Sequence, residues 1–243
     1  MALRILVTND DGIESEGLLW LTESLKRFGD VLVCAPKNQQ SGKSQGIDLI
    51  YPFEVKKYDL CEGVEAYAVD STPADCVRMA VLGMHMEFDL VISGINRGLN
   101  MGTDMMYSGT VGAACEAVNL GMKAIALSTP PKYYDQAVTQ LDRIFEFIEN
   151  HDLLSLNPIY NINIPEDPKD EIRITHQGGP YYSDTFPCIG NDLYRPTGYP
   201  AWKDRGDDTL DTDATLHGYI TVTPLTIDKT NWDVYRKLKA LSR

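Results

Sequence analysis

Five short apolar runs recur along this chain, and they restrict it to one broad class of fold. They are Leu3–Val7, Val31–Ala35, Phe88–Ser93, Lys123–Ser128 and Ile159–Ile164, each closed by a polar, proline or glycine-rich stretch. Runs this short and this apolar read as strands of a parallel sheet, covered on both faces. Between the first two, Leu18, Leu21, Leu25 and Phe28 recur at helical spacing. A strand–helix–strand unit of this kind requires a right-handed crossover between parallel strands. Ala137, Leu141, Ile144 and Ile148 mark a further helix before the fifth run. The expected architecture is α/β, a three-layer α/β/α core around a mostly parallel sheet.

Residues outside that alternation are expected to decorate it. Residues 47–69 alternate apolar and polar and predict a β-hairpin extension. Thr72, Pro73 and Asp75 form an N-cap, a first helical position and a capping-box acid, so a structural role explains them. Residues 177–212 are rich in Gly, Pro, Tyr and Asp with little periodicity, and read as an irregular stretch. Tyr219–Thr223 alternates as a strand, and Asn231 caps a last short helix with Val234, Leu238 and Leu241 on one face. The 243 residues are read as one domain, with 1–130 the core and 131–243 a C-terminal part.

Charge and cysteine usage narrow the function. A formal net charge of −13 argues against a nucleic-acid partner, whose phosphates are bound by basic surfaces. It leaves room for a small phosphorylated ligand if a metal supplies the positive charge. No apolar run reaches the length of a membrane span, and no leader pattern precedes the first strand, so a cytoplasmic location without membrane contact is expected. The five cysteines are scattered and read as reduced thiols. Cys-x-x-Cys and paired histidines are lacking, which argues against zinc. Gly42-Lys43-Ser44 mimics the end of a phosphate-binding loop, but Lys37 stands where that motif needs glycine.

The chemistry-bearing residues lie where the apolar runs end. Asn9-Asp10-Asp11-Gly12 follows the first run; it is ordinary turn chemistry, or two carboxylates aimed at a cation. Ser41 follows the second run, and Asn96 lies just beyond the third. Loops at the carboxyl ends of parallel strands are where such sheets bind ligands. Carboxylate, hydroxyl and amide oxygens suit Mg²⁺ or Mn²⁺. Gly94, Gly98 and Gly102 allow backbone to approach a ligand, yet their spacing is not the dinucleotide pattern. Ser108-Gly109-Thr110 opens a helix, as a plain N-cap or as an anion seat, with Asn100 close in sequence.

Six motifs then run in order along nearly the whole chain. They are Thr-Asn-Asp-Asp-Gly at 8–12, Ala-Pro…Gln-Gln-Ser-Gly at 35–42, Thr-Pro-Ala-Asp-Cys-Val at 72–77, Ser-Gly-Ile-Asn-x-Gly-x-Asn at 93–100, Tyr-Ser-Gly-Thr-Val-Gly-Ala-Ala at 107–114 and Val-Thr-Pro-Leu-x-x-Asp-x-Thr at 222–230. With these the sequence resembles the survival protein E (SurE) family. Ser71 departs from the glycine usual before Thr-Pro, and residues 178–212 match only loosely. The resemblance implies a metal-dependent phosphatase acting on nucleoside 5′-monophosphates, and often on 3′-nucleotides and short polyphosphate. It implies a Rossmann-like core whose C-terminal elements, here from about Tyr219, exchange between subunits of a homodimer, sometimes within a tetramer. It places one Mg²⁺ or Mn²⁺ per subunit on Asp10, Asp11, Ser41 and Asn96, and the phosphate on Asn100, Ser108, Gly109 and Thr110.

Asp10 and Asp11 are then the residues on which catalysis depends. Committed to a metal, they make poor nucleophiles, and no histidine lies near Ser108 or Thr110 in sequence to activate a hydroxyl. Direct attack by water is the expected step. An aspartyl-phosphate mechanism wants Asp-x-Asp, whereas these acids are adjacent. The competing reading is a non-enzymatic, metal-dependent nucleotide sensor on the same core.

Overall fold

Side-chain alternation along the first strand, β1 (Leu3–Thr8), divides the core in two. Ile5 and Val7 pack on one face of the sheet and Leu6 on the other. The computed structural model that shows this describes residues 3–242. After β1 the chain continues through α1 (Glu16–Leu25), β2 (Gly29–Pro36), β3 (Val55–Tyr58), β4 (Glu65–Val69), α2 (Pro73–Arg78), β5 (Leu90–Arg97) and α3 (Gly109–Asn119). Next come β6 (Lys123–Thr129), α4 (Tyr134–Thr139), α5 (Leu141–Asn150), α6 (Leu153–Leu156), β7 (Ile159–Asn163) and β8 (Ile172–Ile174). The last part holds β9 (Tyr182–Thr185), β10 (Cys188–Gly190), β11 (Leu193–Tyr194), β12 (Thr197–Pro200), α7 (Asp211–Leu216), β13 (Ile220–Pro224) and α8 (Trp232–Leu238).

Nine strands form one sheet in the order β3-β4-β2-β1-β5-β6-β7-β13-β8. From β4 through β7 every neighbouring pair is parallel. Successive strands add to one side of β1 and then, from β5 onward, to the other. That is the doubly wound Rossmann order, and its switch point lies between β1 and β5. Helices α1, α4 and α5 bury Leu18, Leu21, Leu25, Ala137, Leu141 and Ile144 on one face. Helices α2 and α3 bury Cys76, Val77, Val111, Ala113 and Ala114 on the other. The expected α/β/α layers are present.

Four features differ from the sequence expectations. The hairpin expected as an extension is β3–β4, and β4 also pairs in parallel with β2, so the hairpin is the edge of the main sheet. The third strand runs on through Gly94 to Arg97, which carries Asn96 on the sheet rather than in a loop. Most of the stretch read as irregular is an exposed antiparallel ribbon, β9 with β12 and β10 with β11. It reverses at Asn191 and Asp192, both with positive φ, as a tight hairpin turn requires.

The fourth difference concerns the C-terminus. Strand β13 lies between β7 and β8 of this chain's own sheet, and Ile220 and Val222 are fully buried there. Burying two such side chains is worth about 1.5–3 kcal/mol each. The stretch expected from about Tyr219 as an exchange arm thus opens with a strand that pairs within this chain's own sheet. Helix α8 lies in that segment and buries none of its own residues. Among the described residues, no helix is long and apolar enough to cross a membrane.

Candidate active site

The site begins where β1 ends at the switch point. Asn9 turns the chain: its Oδ1 accepts from Gly12 N at 3.2 Å, while its Nδ2 donates to Gly12 O at 3.0 Å and Ser15 Oγ at 2.6 Å. Ser15 is the N-cap of α1, so the turn and the helix start are one unit. Gly12 has φ +104°, a conformation that a side chain would strain. The expected turn is therefore present, made by Asn9 and Gly12.

Asp10 is 3% exposed and faces the start of α3. Its Oδ1 accepts from Thr110 Oγ1 at 2.5 Å, and the Gly109 and Thr110 amides add hydrogen bonds. The approach depends on Gly109: a Cβ there would lie 2.8 Å from Asp10 Cβ. Burial pushes the Asp10 carboxyl above its ordinary range, and the Thr110 hydroxyl pulls it partly back. Asp11 Oδ2 accepts from Arg97 N at 2.8 Å. Burial raises Asp11 too, opposed by that backbone hydrogen bond and reinforced by the charge of Asp10.

Neither carboxylate has a Lys, Arg or His partner within 4.0 Å among the described residues. Two desolvated anions side by side without a counter-charge are costly. Just below them, Thr8 and Ser93 are paired across β1 and β5, and their buried hydroxyls lack hydrogen-bond partners. Two buried acids without an ion-pair partner fit a hard divalent cation with oxygen donors. No group of three or more His, Cys, Asp or Glu gathers among the described residues, so the set has only two acids and needs neutral oxygens.

The loop after β2 and the end of β5 carry neutral oxygens near the acid pair. Gln40 N donates to Asp10 O at 2.7 Å and docks the loop after β2 against the acid pair. Ser41 follows at the exposed rim, its Oγ accepting from Gln39 Nε2 at 2.9 Å. Asn96 precedes the residue that holds Asp11; its Nδ2 donates to Gly98 O at 2.8 Å, leaving Oδ1 free for a cation. Tertiary structure thus brings the loops bearing Asp10, Asp11 and Ser41, and the end of β5 bearing Asn96, to one end of the sheet. The loop after Ser41 is clamped to α3 and to the turn that precedes it. Ser44 Oγ donates to Met106 O at 2.8 Å, and Gln45 Nε2 donates to Glu116 Oε2 at 2.8 Å. Arg78 holds the other oxygen of Glu116 at 2.9 Å.

The expected phosphate residues divide. Ser108 caps α3 by accepting from Val111 N at 3.1 Å, and its own hydroxyl proton remains available. Thr110 is fully buried and spends its hydroxyl on Asp10, so it holds an acid rather than facing outward. Asn100 is buried behind the site, its Nδ2 donating to Ser128 Oγ at 2.9 Å and its carbonyl accepting from Asn161 and Asn163 at 2.7 and 2.8 Å. Asn161 and Asn163 were not singled out from the sequence. The signal was there: two amides within an otherwise apolar strand need partners.

On the side of Asp11 away from α3 opens a cleft of about 540 Å³. Lys37, Asn38, Arg97, Lys132 and Tyr134 line it. The Tyr134 phenol is pushed up to about 12, by burial first and by nearby Asp11 second, and stays protonated. Arg97 and Tyr134 also escaped the sequence reading, since one sits at an unspecified position of its motif and the other inside a helix pattern.

Fold and site together define a Rossmann-like α/β protein with an acidic, oxygen-donor site at the switch point. A profile of the family described as Survival protein SurE matches residues 5–184. A 5′-nucleotidase SurE from Caldanaerobacter subterraneus is 36% identical over 250 residues, covering 97% of this chain and 96% of that one. One from Aeromonas hydrophila is 37% identical over 238 residues, covering 94% of each. The crystal structure of the SurE protein from Aquifex aeolicus superposes with a TM-score of 0.79 at 31% identity, over 99% of this chain and 100% of that one. The chain belongs to the SurE family.

Proposed function

We propose that this protein is a metal-dependent 5′-nucleotidase that hydrolyses nucleoside 5′-monophosphates to nucleoside and phosphate. The observation that carries this reading is the pair of buried acids, Asp10 and Asp11, at the switch point, with no ion-pair partner within 4.0 Å among the described residues and only the more distant Arg97 charge acting on Asp11. Relatives named 5′-nucleotidase over nearly the whole length support the substrate class. We read Asp10, Asp11, Ser41 and Asn96 as the holders of one Mg²⁺ or Mn²⁺. Such a cation supplies Lewis acidity and an activated water.

The chain's own residues do the rest. Thr110 and the start of α3 fix the Asp10 carboxylate, and Arg97 N fixes that of Asp11. Ser108 has a hydroxyl proton to give to a phosphoryl oxygen, and Asn100 keeps an amide proton beyond the one it gives Ser128. His151, His176 and His217 bond elsewhere, to Phe147, Gln177 and Asp208. No histidine sits on Ser108 or Thr110, and the carboxylate that Thr110 faces, Asp10, is read as a metal ligand, so water attacks phosphorus directly, and positioning with charge stabilisation carries the acceleration.

Stripping divalent ions by exhaustive chelation and restoring Mn²⁺ tests the proposal, with an aryl phosphate and AMP as substrates. Turnover of both should vanish and return. Turnover that persists without metal refutes it, and nucleotide binding without hydrolysis would leave the sensor reading instead. A homodimer, with a tetramer as the larger assembly, is part of the proposal. Its support is the segment after Leu225, where Trp232, Val234, Tyr235 and Leu238 are all exposed. A cytoplasmic location fits the five free thiols.

A further inference from the structure

We propose that the cleft beside Asp11 seats the leaving nucleoside, and that Arg97 is the residue that selects it. This rests on the phosphatase reading and adds a second compartment to it. Asp10 and Asp11 are adjacent in sequence but face apart. Asp10 is turned onto the start of α3, while Asp11 forms part of the cleft wall. A phosphomonoester centred on the acid pair puts its phosphoryl oxygens on the α3 side, where Ser108 has a proton to donate. Its ester oxygen and leaving group then point to the side of Asp11.

Size and wall chemistry both fit a nucleoside. About 540 Å³ falls in the range of small-molecule sites, roughly 300–1,000 Å³. Arg97, Lys132 and Asn38 offer donors, Glu14 and Glu16 offer acceptors for sugar hydroxyls, and Tyr134 adds a ring. An apolar alcohol would leave these polar groups without partners, whereas a sugar and a base can meet them. Arg97 is exposed, and neither it nor Lys132 pairs with a carboxylate within 4.0 Å among the described residues. A planar guanidinium can stack on a base or donate to its carbonyl oxygens, which an ammonium cannot imitate. The hydrogen bond from Arg97 to Asp11 comes from the backbone N–H, so a change of side chain leaves it in place, and Arg97→Lys also keeps the positive charge that acts on Asp11.

The test uses the full chain with Mn²⁺ and compares Arg97→Ala and Arg97→Lys with the parent protein. Two quantities are read: kcat/KM for AMP relative to that for 4-nitrophenyl phosphate, and inhibition of aryl phosphate turnover by adenosine. In Arg97→Ala the ratio should fall about five- to tenfold, through KM, the loss expected for charge-assisted hydrogen bonds in a half-open site. Adenosine inhibition should weaken by a similar factor, and Arg97→Lys should restore little of either. A ratio and an inhibition constant within twofold of the parent would overturn the assignment. Parent protein that hydrolyses neither substrate would instead sink the phosphatase reading beneath it.

Discussion

Thr110 Oγ1 donates to Asp10 Oδ1 at 2.5 Å, joining the start of α3 to the end of β1 across 100 positions of sequence. The helix N-terminus, which in isolation would seat any anion, is turned onto one of the protein's own acids. Its amides favour the charged form of Asp10, and burial disfavours it more. Thr110→Val keeps the shape and removes the hydroxyl. Metal affinity should fall about tenfold, the cost of a lost hydrogen bond to a charged group, with the thermal unfolding midpoint of chelated protein little changed. Calorimetric titration with Mn²⁺ measures it.

Asp11→Asn and Asp10→Asn should lower turnover by at least about 10²-fold, since each removes one charge where transition-state charge is stabilised. The same changes should raise the unfolding midpoint of chelated protein, because each removes a desolvated anion that the fold does not neutralise. Scanning calorimetry on protein held in chelator checks this. A midpoint that drops in both variants would mean that the carboxylates are structural.

Metal binding should weaken as pH falls, starting nearer neutrality than for ordinary surface carboxylates. Burial raises both Asp10 and Asp11, so protons compete with the cation at higher pH, and metal binding releases protons. In metal-free protein the sign reverses. A carboxyl raised on folding contributes stability that is fully present below its unfolded value and is lost as pH rises through its folded value. Added Mn²⁺ should therefore stabilise the protein more at pH 8 than at pH 5. Unfolding midpoints at the two pH values, with and without metal, decide it.

The clamp on the Ser41 loop can be loosened from a distance. Glu116 is 3% exposed and holds both Gln45 and Arg78. Gln45→Ala removes one neutral-to-charged hydrogen bond at the protein's edge, worth about 1 kcal/mol, and should weaken metal affinity severalfold by freeing the loop. Glu116→Ala should cost about 1–3 kcal/mol of stability, as it leaves Arg78 without its partner. Denaturant unfolding and metal titration of the two variants separate these effects.

Truncation tests where the body ends. A chain stopped after Leu225 keeps β13 and should fold, yet run as a smaller species in light scattering because α8 is gone. A chain stopped before Tyr219 loses the strand that joins β7 to β8, with buried Ile220 and Val222, and should not fold. If the chain ending at Leu225 remains a dimer, the contact lies elsewhere.

Much of the fold could be read from the sequence because short-range patterns encode it. Apolar runs of five or six residues, helical spacing in α1, and the caps at Thr72 and Ser108 are decided within a few residues by backbone sterics and local hydrogen bonds. The ribbon at 182–200 was hidden for the converse reason: exposed on both faces, it carries no alternation of burial. The candidate oxygen donors Asp10, Asp11, Ser41 and Asn96 stood out because each lies at or just past the end of an apolar run. What the sequence could not contain was how distant surfaces meet. Only the assembled sheet turns Asp10 towards Thr110 and Asp11 towards a cleft, although the two acids share a peptide bond. Only the assembled sheet leaves an opening between β7 and β8 that β13 fills. Those outcomes depend on packing between segments 50 to 100 residues apart, where burial and close approach, as of Gly109 to Asp10, outweigh any local preference.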